Sequence, residues 1–470
     1  MTKPPYRHLL LLAGSMSLLW SIPGHALTDS ERDQKLQESE ARIQKLEMQL
    51  KNSQNAWRKT DRTLKESVSR LKINGFVTAG VSRATVDKET GNYRWKYLTK
   101  ITDEWNWKSD SVAGVQFTYN IDPKWDATVQ ILSRFDDEFS NDTNLGVEWA
   151  FLAYRPNDKL AARFGRVRTP LYMFSEYLDV GFAYPWVRPP VEMYRVPFTF
   201  YDGVSVDYLL ELGSWNLLTN LGIGSSEPGV VLDLQAKNVG TLNFNLNRDA
   251  WTLRTNYTRT KMESDDPKIS TVQQGLDLLH TNGYTNQRYE MIGKNNLAQY
   301  LSYGAMYDDG TWQVIGEVGE IHWKDSLVLD GWSNYLSVGR RFGNFLPYAV
   351  YAHEYTPAKN DKKRQAVSEA ALAYGADNPA LAGLMQKLSN QVLAFTETQK
   401  SVTLGVRWDV SSRVATKLEV SRVFGFDKKG NHIGRFDPIE NNQTVDTEVN
   451  YPHTGLKPQY VTSLVVNAVF

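Results

Sequence analysis

Tyr460-Val461-Thr462-Ser463-Leu464-Val465-Val466-Asn467-Ala468-Val469-Phe470 closes this 470-residue chain. Successive side chains of a strand point to opposite faces. Tyr460, Thr462, Leu464, Val466, Ala468 and Phe470 therefore share one face, and Val461, Ser463, Val465, Asn467 and Val469 the other. Two apolar or near-apolar faces ending on an aromatic suit the closing strand of a transmembrane β-barrel. The last strand of a soluble sandwich is the alternative, and the rest of the chain decides between them.

Working backwards, the same period of two recurs in pairs. Ala113 to Ile121 alternates apolar with polar, turns at Asp122-Pro123-Lys124 and returns from Trp125 to Ile131. The unit repeats at Val147 to Tyr154 with Lys159 to Val167, and at Tyr201 to Leu210 returning from Trp215. It repeats at Thr241 to Asn247 returning from Trp251, and at Leu301 to Tyr307 returning from Trp312. The last two are Tyr335 to Arg341 returning from Leu346, and Val402 to Trp408 returning from Val414. Each reads as an antiparallel hairpin with one apolar and one polar face. With Ile73 to Arg83 in front and the terminal strand behind, the expectation is 16 strands, an even count as single-chain bacterial barrels require. Turns within hairpins are short. Connections between them are mostly long (84–110, 136–146, 168–200, 224–238, 261–296, 357–398 and 424–457), with a short exception at 324–329. A sandwich has no reason to sort its loops this way, whereas a membrane barrel does. Trp125, Trp215, Trp251 and Trp312 follow short turns and Trp408 precedes one, which predicts an aromatic girdle at that end.

The amino terminus differs. A basic start (Lys3, Arg7, His8), an apolar stretch from Leu9 to Trp20 and a small-x-small site at Gly24 and Ala26 predict a signal peptide over 1–26. That apolar stretch is too short for a spanning helix. From Asp29 to Lys72, apolar residues recur every seven positions at Leu36, Ile43, Leu50, Trp57, Leu64 and Leu71. This predicts a coiled-coil stalk over 27–72 with a soft d layer of Ser39, Leu46, Ser53, Thr60 and Ser67. A single solvated helix or a linker is the alternative. The barrel is expected over 73–470. The fold class is thus all-β, a 16-stranded antiparallel transmembrane barrel preceded by an α-helical coiled-coil segment.

Composition narrows the function. There is no cysteine, which excludes thiol catalysis and Cys-ligated metal sites. The 53 basic and 53 acidic residues balance, which argues against a nucleic-acid binder. Mean hydropathy is −0.45, so membrane insertion would have to be by half-apolar strands. No nucleophile elbow, HExxH, EF-hand or Walker pattern occurs, and the histidines beyond the leader (His280, His322, His353, His432 and His453) are scattered. No enzyme and no cofactor is expected. The acidic stretch Asp437 to Glu440 is read as a solvated loop in preference to a Ca²⁺ site.

Sixteen strands enclose a lumen too wide for wall side chains to fill. The inferred inner face carries Asp126, Gln130, Arg134, Glu148, Arg163, Asp207, Asn216, Asn220, Asn243, Asn245, Arg254, Asn256, Glu317, Arg341, Arg407, Lys417 and Glu419. Both signs occur, which predicts a polar channel with modest charge preference. The third long loop, Thr169 to Phe200, is dense in proline and aromatic residues and poor in flexible polar ones. A loop folded into the lumen would read this way. Its charges Glu176, Asp179, Arg188, Glu192 and Arg195 would then meet Arg134, Arg163, Arg166 and Arg168 of the wall as pore-constriction residues. Opposed walls would set a transverse field. In the loop at 357–398, Asn378-Pro379 predicts a helix start, with Leu381, Leu384, Met385, Leu388 and Val392 on one face, either packed on the rim or serving as a lid.

The run Arg163-Phe164-Gly165-Arg166-Val167-Arg168-Thr169-Pro170-Leu171 resembles the strand end by which several gammaproteobacterial porins enter their constriction loop. Tyr184-Pro185-Trp186-Val187-Arg188-Pro189-Pro190 is similar to that loop. The terminal Phe470 resembles the carboxy-terminal signature of Gram-negative outer-membrane barrels, and a coiled coil ahead of the barrel is similar to DcaP-like porins. The resemblance implies a homotrimer in outer-membrane lipid, passing small hydrophilic solutes by passive diffusion. It departs from the phosphate-selective kind, lacking an arginine ladder in the lumen, and no dicarboxylate site is matched residue by residue. Two readings stay open beside it: a substrate-specific channel for dicarboxylates or other small anions, and a tether or adhesin whose stalk holds peptidoglycan.

Overall fold

In several hairpins the short turn is fixed by local hydrogen bonds of short polar side chains. Asp122 Oδ1 accepts from the N–H groups of Lys124 (2.7 Å) and Trp125 (3.0 Å). Asn157 Oδ1 does the same for Lys159 and Leu160 (both 3.0 Å), and Asp309 Oδ1 for Thr311 (2.8 Å) and Trp312 (2.7 Å). Such turns give the chain an alternative to continuing the ladder. They punctuate it just where the period of two breaks.

The computed structural model describes residues 30, 33, 37, 44, 48, 51, 70–85, 92–95, 101, 103–134, 144–194, 196, 198–227, 234–290, 296–324, 326–327, 330–394, 398–425, 436–439 and 458–470. The chain divides into two units, 1–70 and 71–470. In the first, the described positions are helical and exposed. The expected signal peptide and the heptad residues Leu36, Ile43, Leu50, Trp57 and Leu64 lie outside the described residues.

The second unit is a closed 16-stranded antiparallel barrel. In chain order its strands are β1 (Leu71–Ala84), β2 (Val112–Asn120), β3 (Trp125–Arg134), β4 (Asn144–Asn157), β5 (Leu160–Arg168), β6 (Phe200–Leu212), β7 (Trp215–Ser226), β8 (Leu234–Arg248), β9 (Trp251–Ser264), β10 (Asn296–Asp308), β11 (Trp312–Trp323), β12 (Gly331–Arg340), β13 (Phe345–Tyr355), β14 (Gln399–Ser411), β15 (Val414–Phe424) and β16 (Gln459–Val469). All sixteen expected strands are present. The first begins at Leu71, two residues earlier than expected. β8 and β9 extend further towards the long-loop rim than their patterning indicated, through a bulge at Arg259 to Lys261 opposite Asn238, which has φ 51°. A separate two-stranded sheet pairs Asn92–Trp95 with Phe436–Ile439.

β1 and β16 close the cylinder, with Val81 opposite Leu464 and Ala79 opposite Val466. Beyond the last strand residue, Phe470 and Gly75 exchange two backbone hydrogen bonds of 2.9 Å. The faces sort as expected: Val461, Ser463, Val465 and Asn467 are buried inside, while Tyr460, Leu464, Val466 and Phe470 are exposed outside. The exterior is apolar elsewhere too, with Leu145, Leu221, Ile223, Leu336 and Leu404 more than half exposed. At the short-turn rim each of the five tryptophans meets a neighbouring ring or guanidinium. Trp125 lies 4.7 Å from Tyr154, Trp251 4.9 Å from Tyr307 and Trp408 5.8 Å from Phe345. Arg248 covers Trp215 and Arg340 covers Trp312.

Among the described residues the long-loop rim carries three α-helices: α1 (Pro267–Thr281), α2 (Ala358–Asp377) and α3 (Ala382–Ala394). α2 and α3 pack on one another and on α1. Met385, Leu388 and Val392 are buried in that packing as their spacing indicates, but Leu384 is exposed. Asn378 does not cap the following helix. Its backbone and side-chain amides both donate to the carbonyl of Tyr374, ending α2.

Candidate functional site

Between β5 and β6 the chain leaves the wall and crosses the interior. A stretch without regular structure, placed inside a protein, must find partners for its own N–H and C=O groups. Here the wall supplies them. Glu317 on β11 accepts from the N–H of Met173 (2.8 Å) and the hydroxyls of Tyr194 (2.7 Å) and Tyr335 (2.6 Å). Glu419 on β15 accepts from the N–H of Val187 (3.0 Å) and from Tyr348 (3.0 Å). The Lys417 ammonium donates to the carbonyls of Gly181 (2.5 Å) and Trp186 (2.6 Å), and Arg407 to those of Phe182 (2.7 Å) and Tyr184 (3.0 Å). Ser302 reaches the carbonyl of Leu171 (2.8 Å), and the Trp186 indole donates to Ser337 (2.9 Å). Trp186, Leu171 and Met193 are buried against the far wall. Glu317, Arg407, Lys417 and Glu419, expected as lumen charges, thus act as anchors for the loop.

The loop's own charges are paired in the same manner. Arg134 contacts Glu148 (2.9 Å) and Asp179 (2.6 Å), and Asp179 also binds Arg168, which lies 3.2 Å from Glu148. Glu176 forms a two-pronged contact with Arg254 (3.0 and 3.1 Å). Arg163 pairs with Asp207 at 2.5 Å. Glu192 is fully buried and accepts from Gln399 (2.9 Å). Arg188 reaches the seam of the barrel, donating to Asp110 (2.9 and 2.6 Å), Ser82 of β1 (3.0 Å) and Ser463 of β16 (2.8 Å). Burial alone would raise the Asp110 carboxyl, but the Arg188 guanidinium holds it below the usual carboxylate range. Arg195 lies outside the described residues.

Two expectations need correction. Arg166 is not on the inner face. It shares a face with Phe164, two residues before it and exposed outside, and grips Asp202 on that outer face through two contacts of 2.8 Å, with its guanidinium over the Phe200 ring. Nor do these basic and acidic side chains stand apart as opposed walls. They meet within hydrogen-bonding distance, so a transverse field of the expected kind is largely cancelled pair by pair.

Sequence reasoning missed Trp149. A bulge leaves Glu148 extra between the pairs Gln130–Trp149 and Ile131–Val147, so Glu148 and Trp149 both turn inward. It also missed Asp110, Asp308 and Asp409. Asp308 binds Arg341 (2.5 and 2.9 Å) and Asp409 binds Arg407 (2.7 Å). Below the loop, towards the short turns, lies a cavity of about 820 Å³, whose wall includes Arg163, Asn220, Asn245, Arg341 and Arg407 and whose roof includes Tyr177 and Phe182. A second space of about 420 Å³ near Gln116 and Asp126 shares Trp149 and Arg163 with it. Among the described residues no group of three or more side chains could hold a metal ion. Of the acidic stretch 437–440, Asp437 to Ile439 lies in the two-stranded sheet.

No known protein family matches this chain, and no curated protein matches it in sequence. Solved structures are similar to it in shape. DcaP, an outer-membrane channel of Acinetobacter baumannii, aligns at TM-score 0.48 and 8% identity over 85% of this chain and 97% of that one. Salmonella typhi OmpF, solved with daunomycin, aligns at 0.49 and 11% over 85% and 97%. An anion-selective porin from Comamonas acidovorans aligns at 0.48 and 12% over 85% and 99%.

Proposed function

We propose that this protein is a porin of the Gram-negative outer membrane, a passive diffusion channel for small hydrophilic solutes. The observation that carries this reading is the inversion of polarity across the wall. Exposed apolar side chains and a tryptophan girdle cover the outside, while charged and amide side chains fill the inside. A bilayer admits strands only as a closed barrel, because an open edge would leave backbone groups unpaired in hydrocarbon. In this reading residues 1–26 direct export and residues 169–199 form the constriction. Arg134, Arg163, Arg168, Glu176, Asp179, Arg188 and Glu192 set its shape more than its charge. The heptads of 27–70 would gather three chains, with the stalk on the periplasmic side.

Planar-bilayer recording of the purified full chain tests this. Stepwise conductance grouped in threes is expected, with reversal potentials in a salt gradient showing weak ion selectivity. A silent bilayer would overturn the channel reading and favour a tether.

A further inference from the structure

We propose that the cavity beneath the crossing loop is a binding site for uncharged, hydroxyl-rich solutes of the carbohydrate class. This rests on the channel reading above and goes further by naming the solute. The five arginines of the cavity wall, Arg163, Arg168, Arg254, Arg341 and Arg407, are each paired with a carboxylate. An anion would have to displace an internal partner to bind. What the wall offers instead is amide. Asn243, Asn245 and Asn247 alternate along β8 and so share one face, and Asn220 of β7 sits directly opposite Asn243. Their amides already act in both roles: Asn220 donates to Ser205 (2.8 Å) and Asp207 (2.6 Å), Asn245 donates to Asn243 (2.7 Å), and Asn247 accepts from Thr252 (2.9 Å). Across the cavity the loop presents the Tyr177 ring, 56% exposed. Amides on one side and an aromatic ring on the other match a sugar, whose hydroxyls both give and take hydrogen bonds and whose C–H face is apolar. Five buried polar atoms in this wall have no hydrogen-bond partner within the protein: four donors, Trp149 Nε1, Arg168 Nε and Nη1 and Arg254 Nε, and one acceptor, Asn220 Oδ1. A hydroxyl is able to satisfy either a donor or the acceptor.

The test compares maltotriose with succinate on the full-length protein. Maltotriose added from the short-turn side should reduce bilayer current saturably, and succinate should not. Asn245→Ala and Tyr177→Ala, checked for folding by heat-shifted migration, should each weaken the block about three- to tenfold. Calorimetric titration of maltotriose into the detergent-solubilised protein reads the same affinity without current. Saturable block and heat that both weaken in the variants support the site. A conducting protein that neither binds nor is blocked by maltotriose, or that succinate blocks more tightly, overturns it. Maltotriose binding in a protein that passes no current would sink the channel reading while leaving the binding site in place.

Discussion

Phe470 and Gly75 show how much one residue can decide. The terminal residue is 64% exposed, yet its backbone makes two hydrogen bonds to Gly75 and its ring covers the space a Cβ at position 75 would need. Such a Cβ would lie 2.1 Å from the ring. An aromatic resting on a strand glycine is a recognised way to cover the gap that glycine leaves. Gly75→Val should therefore push the Phe470 ring aside and open the seam. The expected result is reduced assembly of heat-resistant barrel, with Gly75→Ala intermediate and a paired Gly75→Val, Phe470→Ala change partly restored. Equal yields of folded barrel from wild type and Gly75→Val would refute the coupling. Gly165 is constrained differently. Its φ of 126° and the Ala150 carbonyl 2.3 Å from a would-be Cβ exclude other residues where β5 turns towards the interior.

At the scale of elements, what was legible followed from periodicity. Every barrel strand could be read because alternate burial writes itself into the sequence with a period of two, and short turns carry Asp, Asn and Gly, whereas the short pair Asn92–Trp95 and Phe436–Ile439 was read as loop. Helix α1 was missed although its signal is present: Pro267 at its first position, then Ile269, Val272, Leu276 and Leu279 on one buried face. The crossing loop was legible as a loop of the interior, but the duty of the wall charges was not. A lumen charge and a backbone anchor are the same residue in sequence; only the path of the loop tells them apart. Trp149 was overlooked because a bulge shifts the faces and leaves no mark on composition, whereas Arg166 lies outside by plain alternation, three residues on from the inward Arg163 in an unbroken register. The anchors make a prediction about this element. Glu317→Ala would leave the Met173 N–H and two tyrosine hydroxyls without their acceptor, at a cost of about 1–3 kcal/mol for each buried group left unmade. Released from β11, the start of the loop should become sensitive to protease and the open channel should show added current noise. Glu317→Gln keeps an acceptor oxygen and should lie between the two. A loop as protease-resistant in the alanine variant as in wild type would mean that the other anchors suffice.

For the whole molecule, closure by β1 and β16 has a consequence for assembly. All the pairing needed to complete the cylinder lies within 71–470, since the first strand finds its second partner in the last. Each of the sixteen strands has both its ladder partners inside that range. On the proposed reading, the heptad spacing from Leu36 to Leu64 serves association between chains, with its soft d layer limiting how tightly it does so. If the heptads gather three chains as proposed, removing residues 27–70 while keeping the proposed leader 1–26 should leave a folded, heat-resistant barrel whose proportion of trimer on native electrophoresis falls, and whose conductance steps lose their grouping in threes. A peptide of 27–70 should self-associate alone, with a sedimentation mass that rises with concentration towards three copies. Unchanged trimer yield from the shortened chain would place the association in the barrel wall instead. The outward Arg166–Asp202 pair, polar amid an apolar exterior, is then the first place to substitute.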